Sequence, residues 1–259
     1  MLLGVNIDHI AVLREARKIN DPNPLDALPI CKLSGADQIT IHLREDRRHI
    51  HDNDAKNIIH LSQLPVNLEC SIGDEMIEIV CDLKPHRATL VPENRAEVTT
   101  EGGLDIKNNF EKIKTAIEKL HANEIEVSLF IDPTIEMIKL SKELKVEWIE
   151  LHTGTFANIY AMLFSGLDKT HHSIKELELS RKVLQDKLDH SIYEIKKSAN
   201  LGVDLGLKVA AGHGLNYQNV TMISKIPEII ELNIGQSIVA RSVFTGLHQA
   251  ITDMKEILA

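Results

Sequence analysis

The feature that most constrains the fold is an alternation of strand-like and helix-like segments that continues from one end of the chain to the other. Segments with the two-residue period of a β-strand are followed by stretches with helical spacing, as expected when helices cross over between parallel strands. About eight strands are predicted, near residues 3–7, 38–43, 66–71, 87–91, 126–131, 148–152, 207–211 and 230–234. Eight such units close a barrel, so the sequence predicts an α/β fold, a single (β/α)8 TIM barrel with extra helices.

Helical patterns occupy much of the chain between the predicted strands. They lie near residues 24–34, 54–63, 74–83, 110–121, 135–144 and 236–258. No linker rich in Pro, Gly or Ser divides the chain, so residues 1–259 are predicted to form one domain. The segment of about 156–200 is too long for one crossover helix and indicates two helices added to the barrel wall. A role in subunit contacts and a role in covering the active site both stay open for it.

Composition excludes several classes of protein. A formal charge of −9 and a pI near 5.8 argue against nucleic-acid binding, which needs a basic face. The first residues lack a signal-peptide pattern, and no run approaches the length of a membrane span, so a cytoplasmic location is expected. Cys31, Cys70 and Cys81 form no CxxC pair and are interpreted as core residues in a reducing compartment. No zinc, Walker or dinucleotide motif is present, so neither a metal nor a nucleotide cofactor is expected.

Three groups suited to proton transfer stand at predicted strand ends. In barrel enzymes the carboxyl ends of the strands form the catalytic rim, which gives these positions weight. His42 shares a strand face with Arg44, and this pairing suits proton transfer beside a phosphate. Glu69 and Glu150 have apolar neighbours, which favour a raised carboxyl pKa and a role as a base. The alternative for either glutamate is a structural pairing with an inward Arg or Lys.

Two glycine-containing loops indicate phosphate binding. Gly212-His213-Gly214 places an imidazole between two residues without side chains, where a backbone can approach a ligand. Gly235-Gln236-Ser237 opens the last helical pattern, and a helix N-terminus favours an anion. In this fold the loops after the last two strands often form a phosphate site.

The loop at residues 92–103 carries hydroxyl groups and a pair of glycines after the fourth predicted strand. Its length is compatible with a mobile loop over the catalytic face and equally with an ordinary surface connection. Two other functions also stay open at this point. One is an aldolase-like enzyme in which Lys208 forms an imine, and the other is a module that only binds phosphorylated metabolites.

The chain resembles the pyridoxine 5′-phosphate synthase family. The resemblance begins with Asn6-Ile7-Asp8-His9-Ile10-Ala11, Arg17 and the segment 42–50, which reads HLREDRRHI. It continues through Asn67-Leu68-Glu69, Leu90-Val91-Pro92-Glu93, residues 97–105, residues 127–132, Ile149-Glu150-Leu151-His152-Thr153-Gly154, residues 206–209, Ala211-Gly212-His213-Gly214-Leu215 and residues 231–235. These motifs occur in one order and cover nearly the whole chain.

The resemblance implies a (β/α)8 enzyme that condenses 1-deoxy-D-xylulose 5-phosphate with 3-amino-2-oxopropyl phosphate, without a metal or organic cofactor. It implies that His42 and Glu69 accept protons, that His213 donates one, and that Glu150 stabilises the transition state. The residues it assigns to the aminoketone phosphate are Asn6, Arg17, Gly214, Gly235 and Gln236. Those it assigns to the sugar phosphate are Asp8, His9, Arg44, His49 and Thr99. A homo-octamer is also implied.

Overall fold

The computed structural model describes residues 1–93 and 102–259. Eight parallel strands follow one another around a closed barrel, and the last strand pairs with the first. The strands are β1 (Leu2–Asn6), β2 (Gln38–His42), β3 (Val66–Cys70), β4 (Arg87–Leu90), β5 (Glu126–Ile131), β6 (Trp148–His152), β7 (Lys208–Gly212) and β8 (Glu231–Ile234). This is the predicted TIM barrel, and the strand bounds differ from the predicted ones by a residue or so at most ends.

The two faces of the strands differ in polarity, as the two-residue period of the sequence indicated. In β2, Ile39 and Ile41 are fully buried and alternate with Gln38 and Thr40, which bond to other polar side chains inside the barrel. The apolar set therefore packs against the surrounding helices, while the barrel interior is lined by hydrogen-bonded polar groups. Parallel strands are buried on both faces and are usually apolar throughout. Here the face toward the barrel interior is polar, which explains why apolar and polar residues alternate along the strand sequences.

The base of the barrel interior contains a buried ion pair. An Arg87 NH2 group lies 2.5 Å from Glu231 Oε1 and 2.6 Å from Gln38 Oε1. The guanidinium also stacks over the Trp148 ring, with its central carbon 4.2 Å from the ring centroid. Asn233 extends this network toward the carboxyl end of the barrel, where its side-chain amide donates to Glu150 Oε2 at 2.8 Å. Polar contacts thus connect the amino end of the barrel with its carboxyl end.

Eleven α-helices lie among the described residues, and most of them surround the barrel. They are α1 (Asp8–Glu15), α2 (Ala27–Leu33), α3 (Asp52–Leu61), α4 (Asp74–Leu83), α5 (Ile106–Ala122), α6 (Ile135–Glu143), α7 (Gly154–Tyr160), α8 (Arg181–Asp204), α9 (Val220–Ser224), α10 (Gln236–Thr245) and α11 (Leu247–Leu258). No helix in this described part has the length and apolar character to cross a membrane.

The helices differ from the sequence prediction in three places. The short helices α1 and α9 were not predicted, because eight and five residues are too few for a clear helical period. The last predicted helix is two helices, α10 and α11, separated at Gly246, which adopts a φ of +79°. Where two added helices were expected, α7 is followed by short helical turns and then by the 24 residues of α8.

The cysteines agree largely with their interpretation as core residues. Cys31 and Cys70 are buried, and Cys81 is partly exposed. All three are free thiols. Burial raises the pKa of Cys31 to about 12, so this thiol stays protonated at neutral pH.

Candidate active site

A pocket of about 430 Å³ opens at the carboxyl ends of the strands. It is lined by all four predicted catalytic residues, His42, Glu69, Glu150 and His213. Eight of the ten predicted binding residues line it too, namely Asn6, Asp8, His9, Arg44, His49, Gly214, Gly235 and Gln236. The barrel brings these residues together because the carboxyl ends of parallel strands meet at one rim.

The other two predicted binding residues are Arg17 and Thr99. Arg17 does not line the pocket and lies exposed in the turn that follows the last residue of α1, Glu15. Thr99 falls in the segment 94–101, outside the described residues. Most of the predicted mobile loop lies in that same segment.

Three carboxyl groups with raised pKa values converge in the pocket. Desolvation raises the pKa of Glu69 well above its usual range, and negative charge on Glu150 and Asp8 raises it further. Burial, with repulsion from Glu231, raises the pKa of Glu150 to about 7, although Arg87 and Asn233 oppose the shift. Burial raises the pKa of Asp8 to about 6. Near neutral pH Glu150 and Asp8 are therefore poised to take up and release protons, and Glu69 holds its proton to a higher pH than an exposed glutamate does.

His42 stands between two glutamates. Its Nε2 lies 3.0 Å from Glu93 Oε1, and its Nδ1 lies 4.0 Å from Glu69 Oε2. The other Glu93 oxygen accepts a hydrogen bond from the Glu45 backbone amide at 3.0 Å, which fixes the carboxylate. Glu93 therefore orients the imidazole, while the opposite ring nitrogen faces Glu69. Sequence reasoning included Glu93 in a motif but gave it no role, since the contact joins residues 51 positions apart.

One end of the pocket is cationic and rich in imidazoles. Arg44, Arg48, His49 and His9 line this end. The Ile50 amide donates to His49 Nδ1 at 2.8 Å, so the proton of the neutral ring lies on Nε2. Burial lowers the pKa of His49 to about 3, and His42 and Arg44 contribute repulsion. His49 thus stays a neutral donor beside two guanidinium groups, an arrangement that suits a phosphate dianion.

The other end of the pocket is formed by backbone. His213 and Gly214 follow β7 in left-handed conformations, with φ of +83° and +76°. A Cβ at Gly214 would lie 2.5 Å from Ala157 Cβ, and one at Gly235 would lie 2.8 Å from the Asn6 carbonyl oxygen. Both positions therefore need glycine. Gly235 also precedes the ten residues of α10, whose N-terminus has no side-chain cap among the described residues and favours an anion.

His213 is the imidazole at this backbone end. It is open to the pocket, but surrounding protein desolvates it and lowers its pKa to about 4. Positive charge on His152 and on His9 adds to this shift. Phe130 also lines the pocket here, with its ring centroid 6.4 Å from that of His213. Neither Phe130 nor Asn233 was singled out from the sequence as a site residue, since both occur in apolar or short polar patterns common to core strands.

The structure contradicts the aldolase-like interpretation. Lys208 is the first residue of β7, so it lies at the amino end of the barrel, opposite to the pocket. Its side chain is half-exposed and bonds to Glu126 Oε1 at 3.2 Å. An imine on Lys208 would form outside the pocket. The predicted strand at residues 207–211 already puts Lys208 at the amino end, away from the rim that carries the catalytic groups in this fold.

Within residues 1–93 and 102–259, the structure contains no group of three or more His, Cys, Asp or Glu side chains arranged to hold a metal ion. The rings of the exposed pair His171 and His172, in the segment between α7 and α8, are tilted by 41° to each other, with centroids 3.8 Å apart. Two surface imidazoles alone do not make a metal centre.

Comparison with solved structures agrees with the barrel. The tryptophan synthase A-subunit from Pyrococcus furiosus superposes with a TM-score of 0.57 at 11% identity, covering 98% of this chain and 97% of that one. At this identity the likeness shows the fold alone.

Comparison with protein families and relatives identifies the chain. The family model described as pyridoxal phosphate biosynthesis protein PdxJ matches residues 3–259. The pyridoxine 5′-phosphate synthase of Aliarcobacter butzleri is 80% identical, over 100% of this chain and 99% of that protein. The protein of the same name from a Nitratiruptor species is 66% identical, over 100% of this chain and 97% of that protein. The chain therefore belongs to the PdxJ family and is an enzyme of vitamin B6 biosynthesis.

Proposed function

We propose that the enzyme is a pyridoxine 5′-phosphate synthase that condenses 1-deoxy-D-xylulose 5-phosphate with 3-amino-2-oxopropyl phosphate. The products are pyridoxine 5′-phosphate, inorganic phosphate and water. The observation that carries this proposal is a single pocket in which acid/base groups lie between two ends suited to phosphate. The names of the relatives support the product. The proposal includes no resident metal or organic cofactor.

The two ends of the pocket suit two phosphorylated substrates. At the cationic end, Arg44 and neutral His49 offer donors to the sugar phosphate. Asp8, His9 and Thr99 complete that set in the proposal. At the backbone end, Gly214 and the N-terminus of α10 offer amide groups to the aminoketone phosphate. Asn6, Gln236 and Arg17 complete the second set in the proposal. Arg17 does not line the pocket of this chain, so it would have to reach the substrate from outside that pocket.

The condensation needs several proton transfers around one cavity. The amine of one substrate attacks the ketone of the other, and loss of water gives an imine between them. Proton removal from adjacent carbons then shifts the double bonds, phosphate leaves, and ring closure onto the remaining ketone, with net loss of a second water, gives the pyridine. In this scheme His42 and Glu69 remove protons, because each faces the cavity from a neighbouring strand. His213, which its lowered pKa leaves neutral near pH 7, takes up a released proton and returns it from the opposite side, and Glu150 stabilises charge between them.

Incubation of the protein with both substrates tests the proposed function. We expect a pyridine absorbance to appear together with inorganic phosphate, and neither to appear when one substrate is omitted. The alternative that also fits the pocket is a protein that only binds phosphorylated metabolites. Binding of both substrates without any pyridine product would establish that alternative and overturn the proposal.

We also propose that the enzyme forms an octamer in which α10 contributes to a subunit contact. Phe244 and Val243 on this helix have exposed fractions of 89% and 68%, which is unusual for such large apolar side chains. We expect light scattering to give eight times the chain mass for the wild type and a smaller species for Phe244→Glu. Lys139→Glu, on the exposed face of α6, is the control and should leave the mass unchanged. A wild-type mass of one chain would contradict the assembly.

A further inference from the structure

Three consecutive strand ends place Asp132, His152 and His213 side by side. Asp132 directly follows β5, His152 ends β6, and His213 directly follows β7. These strands are neighbours in the barrel, and His152 is in register with Gly212, the residue before His213. The side chains that leave this edge of the rim therefore meet in one cluster.

His152 is held by the carboxylate beside it. Its Nδ1 lies 3.2 Å from Asp132 Oδ1, and that oxygen also accepts the Gly103 amide at 3.0 Å. The bond to His152 lowers the pKa of Asp132, so this carboxylate is ionised at neutral pH. An ionised acceptor at Nδ1 fixes the proton of the ring on that nitrogen. Asp132 thus sets both the tautomer and the orientation of the His152 ring.

The opposite ring nitrogen has no structural partner. His152 Nε2 is buried and has no hydrogen-bond partner among the described residues, in a side chain that is 4% exposed. The ring lies against the pocket residues, with its centroid 5.1 Å from that of Phe130 and 5.5 Å from that of His213. Buried polar groups are normally paired, so an unpaired imidazole nitrogen beside a pocket histidine points to function and not to packing.

The residue after His152 fixes the backbone of His213. The Thr153 hydroxyl is placed to donate to the carbonyl oxygens of Gly212, at 2.7 Å, and of His213, at 2.6 Å. The Thr153 amide donates to the Gly212 carbonyl as well, at 2.9 Å. His213 has a φ of +83°, a conformation that costs free energy for a residue with a side chain. Thr153 therefore contributes to holding His213 in this strained conformation.

We propose that His152 and Thr153 act together as the positioning element of His213, Thr153 by fixing its backbone and the Asp132–His152 pair by fixing the environment of its ring. Neither residue is assigned contact with substrate. This inference rests on the proposed role of His213 as a proton donor. The charged and titratable groups around His213 are His152 from β6 and His9 from α1, with Asp132 behind His152.

The test compares His152→Asn with the wild type. Asparagine keeps a donor toward Asp132 but removes the imidazole facing His213. We expect kcat to fall about 10- to 100-fold, the size of effect seen when the outer partner of a functional histidine is lost, with little change in KM. Removing the repulsion from His152 should raise the pKa of His213 from about 4, measured by NMR of labelled imidazoles. His121→Asn is the matched control, because His121 also lies 3.2 Å from a carboxylate, that of Glu147, but outside the pocket lining.

Thr153 is tested with a pair of variants. Thr153→Ser keeps the hydroxyl and should retain activity, whereas Thr153→Val keeps the shape and should lose it. If Thr153→Val fails to fold, the His152→Asn measurements still decide the proposal. The proposal would be overturned if His152→Asn left both kcat and the titration of His213 unchanged. It would also be overturned if kcat fell while the titration of His213 stayed unchanged and a lower melting temperature accounted for the loss. The NMR titration needs no turnover, so failure of the proposed function would be seen separately, as a wild type that makes no pyridine.

Discussion

Glu69→Gln is expected to lose about 10²–10⁴ in kcat, the usual contribution of one positioned acid or base. Glutamine keeps the size and the hydrogen-bonding reach of the side chain but has no proton-accepting carboxylate. The KM values for both substrates should stay within about threefold, since the two phosphate ends of the pocket are untouched. Steady-state formation of the pyridine, measured with each substrate varied in turn, gives both quantities.

The physical reason lies in the cluster of acids around Glu69. Desolvation, then Glu150 and Asp8, raise the pKa of Glu69 well above its usual range. A carboxylate with a raised pKa is a stronger base than an exposed one, and it becomes available as the pH rises through that pKa. The acid limb of the wild-type pH profile should therefore contain this ionisation, and the profile of Glu69→Gln should lack it.

Glu126→Gln is the control for this experiment. Glu126 is also a strand glutamate, but it begins β5 and lies at the opposite end of the barrel, where it bonds to Trp148 and Lys208. We expect its kcat to equal that of the wild type. If Glu69→Gln also turned over at the wild-type rate, Glu69 would be a ligand contact or a structural acid and not a base.

The strands could be predicted from sequence because their signal is local. In β2 and β8 apolar and polar residues alternate, because the apolar residues face the surrounding helices and the polar residues face the barrel interior. All the parallel strands end at the same rim of the barrel, so the residues at their carboxyl ends are expected to lie close together. That is why His42, Glu69 and His213 were expected together and lie in one pocket.

The remaining features of the site depend on contacts that no local pattern encodes. The pairing of His42 with Glu93 spans 51 positions, and that of Asn233 with Glu150 spans 83. Such pairs are set by barrel closure and register, which a single sequence does not specify.

The second large effect is expected at the base of the barrel, in Arg87→Met. Methionine removes the only cation within hydrogen-bond distance of the buried Glu231 among the described residues. Loss of one partner of a buried pair leaves a charge without compensation and costs about 3–5 kcal/mol. For a chain of this size that corresponds to a drop of roughly 6–20 °C in melting temperature, measured by thermal unfolding. Arg87 also lowers the pKa of Glu150, so this pKa should rise above about 7 in the variant.

Restoring neutrality distinguishes charge from packing in this network. The double variant Arg87→Met, Glu231→Gln leaves no unpaired charge. Much of the stability lost in Arg87→Met should therefore return, because replacing both members of a buried pair is far less costly than removing one. Lys107→Met is the control, because the Lys107–Glu136 pair is mostly exposed and its loss should leave the melting temperature nearly unchanged. A double variant as unstable as Arg87→Met would instead assign the loss to the stacking of Arg87 on Trp148. The barrel interior would then be held at its base by packing and not by the ion pair.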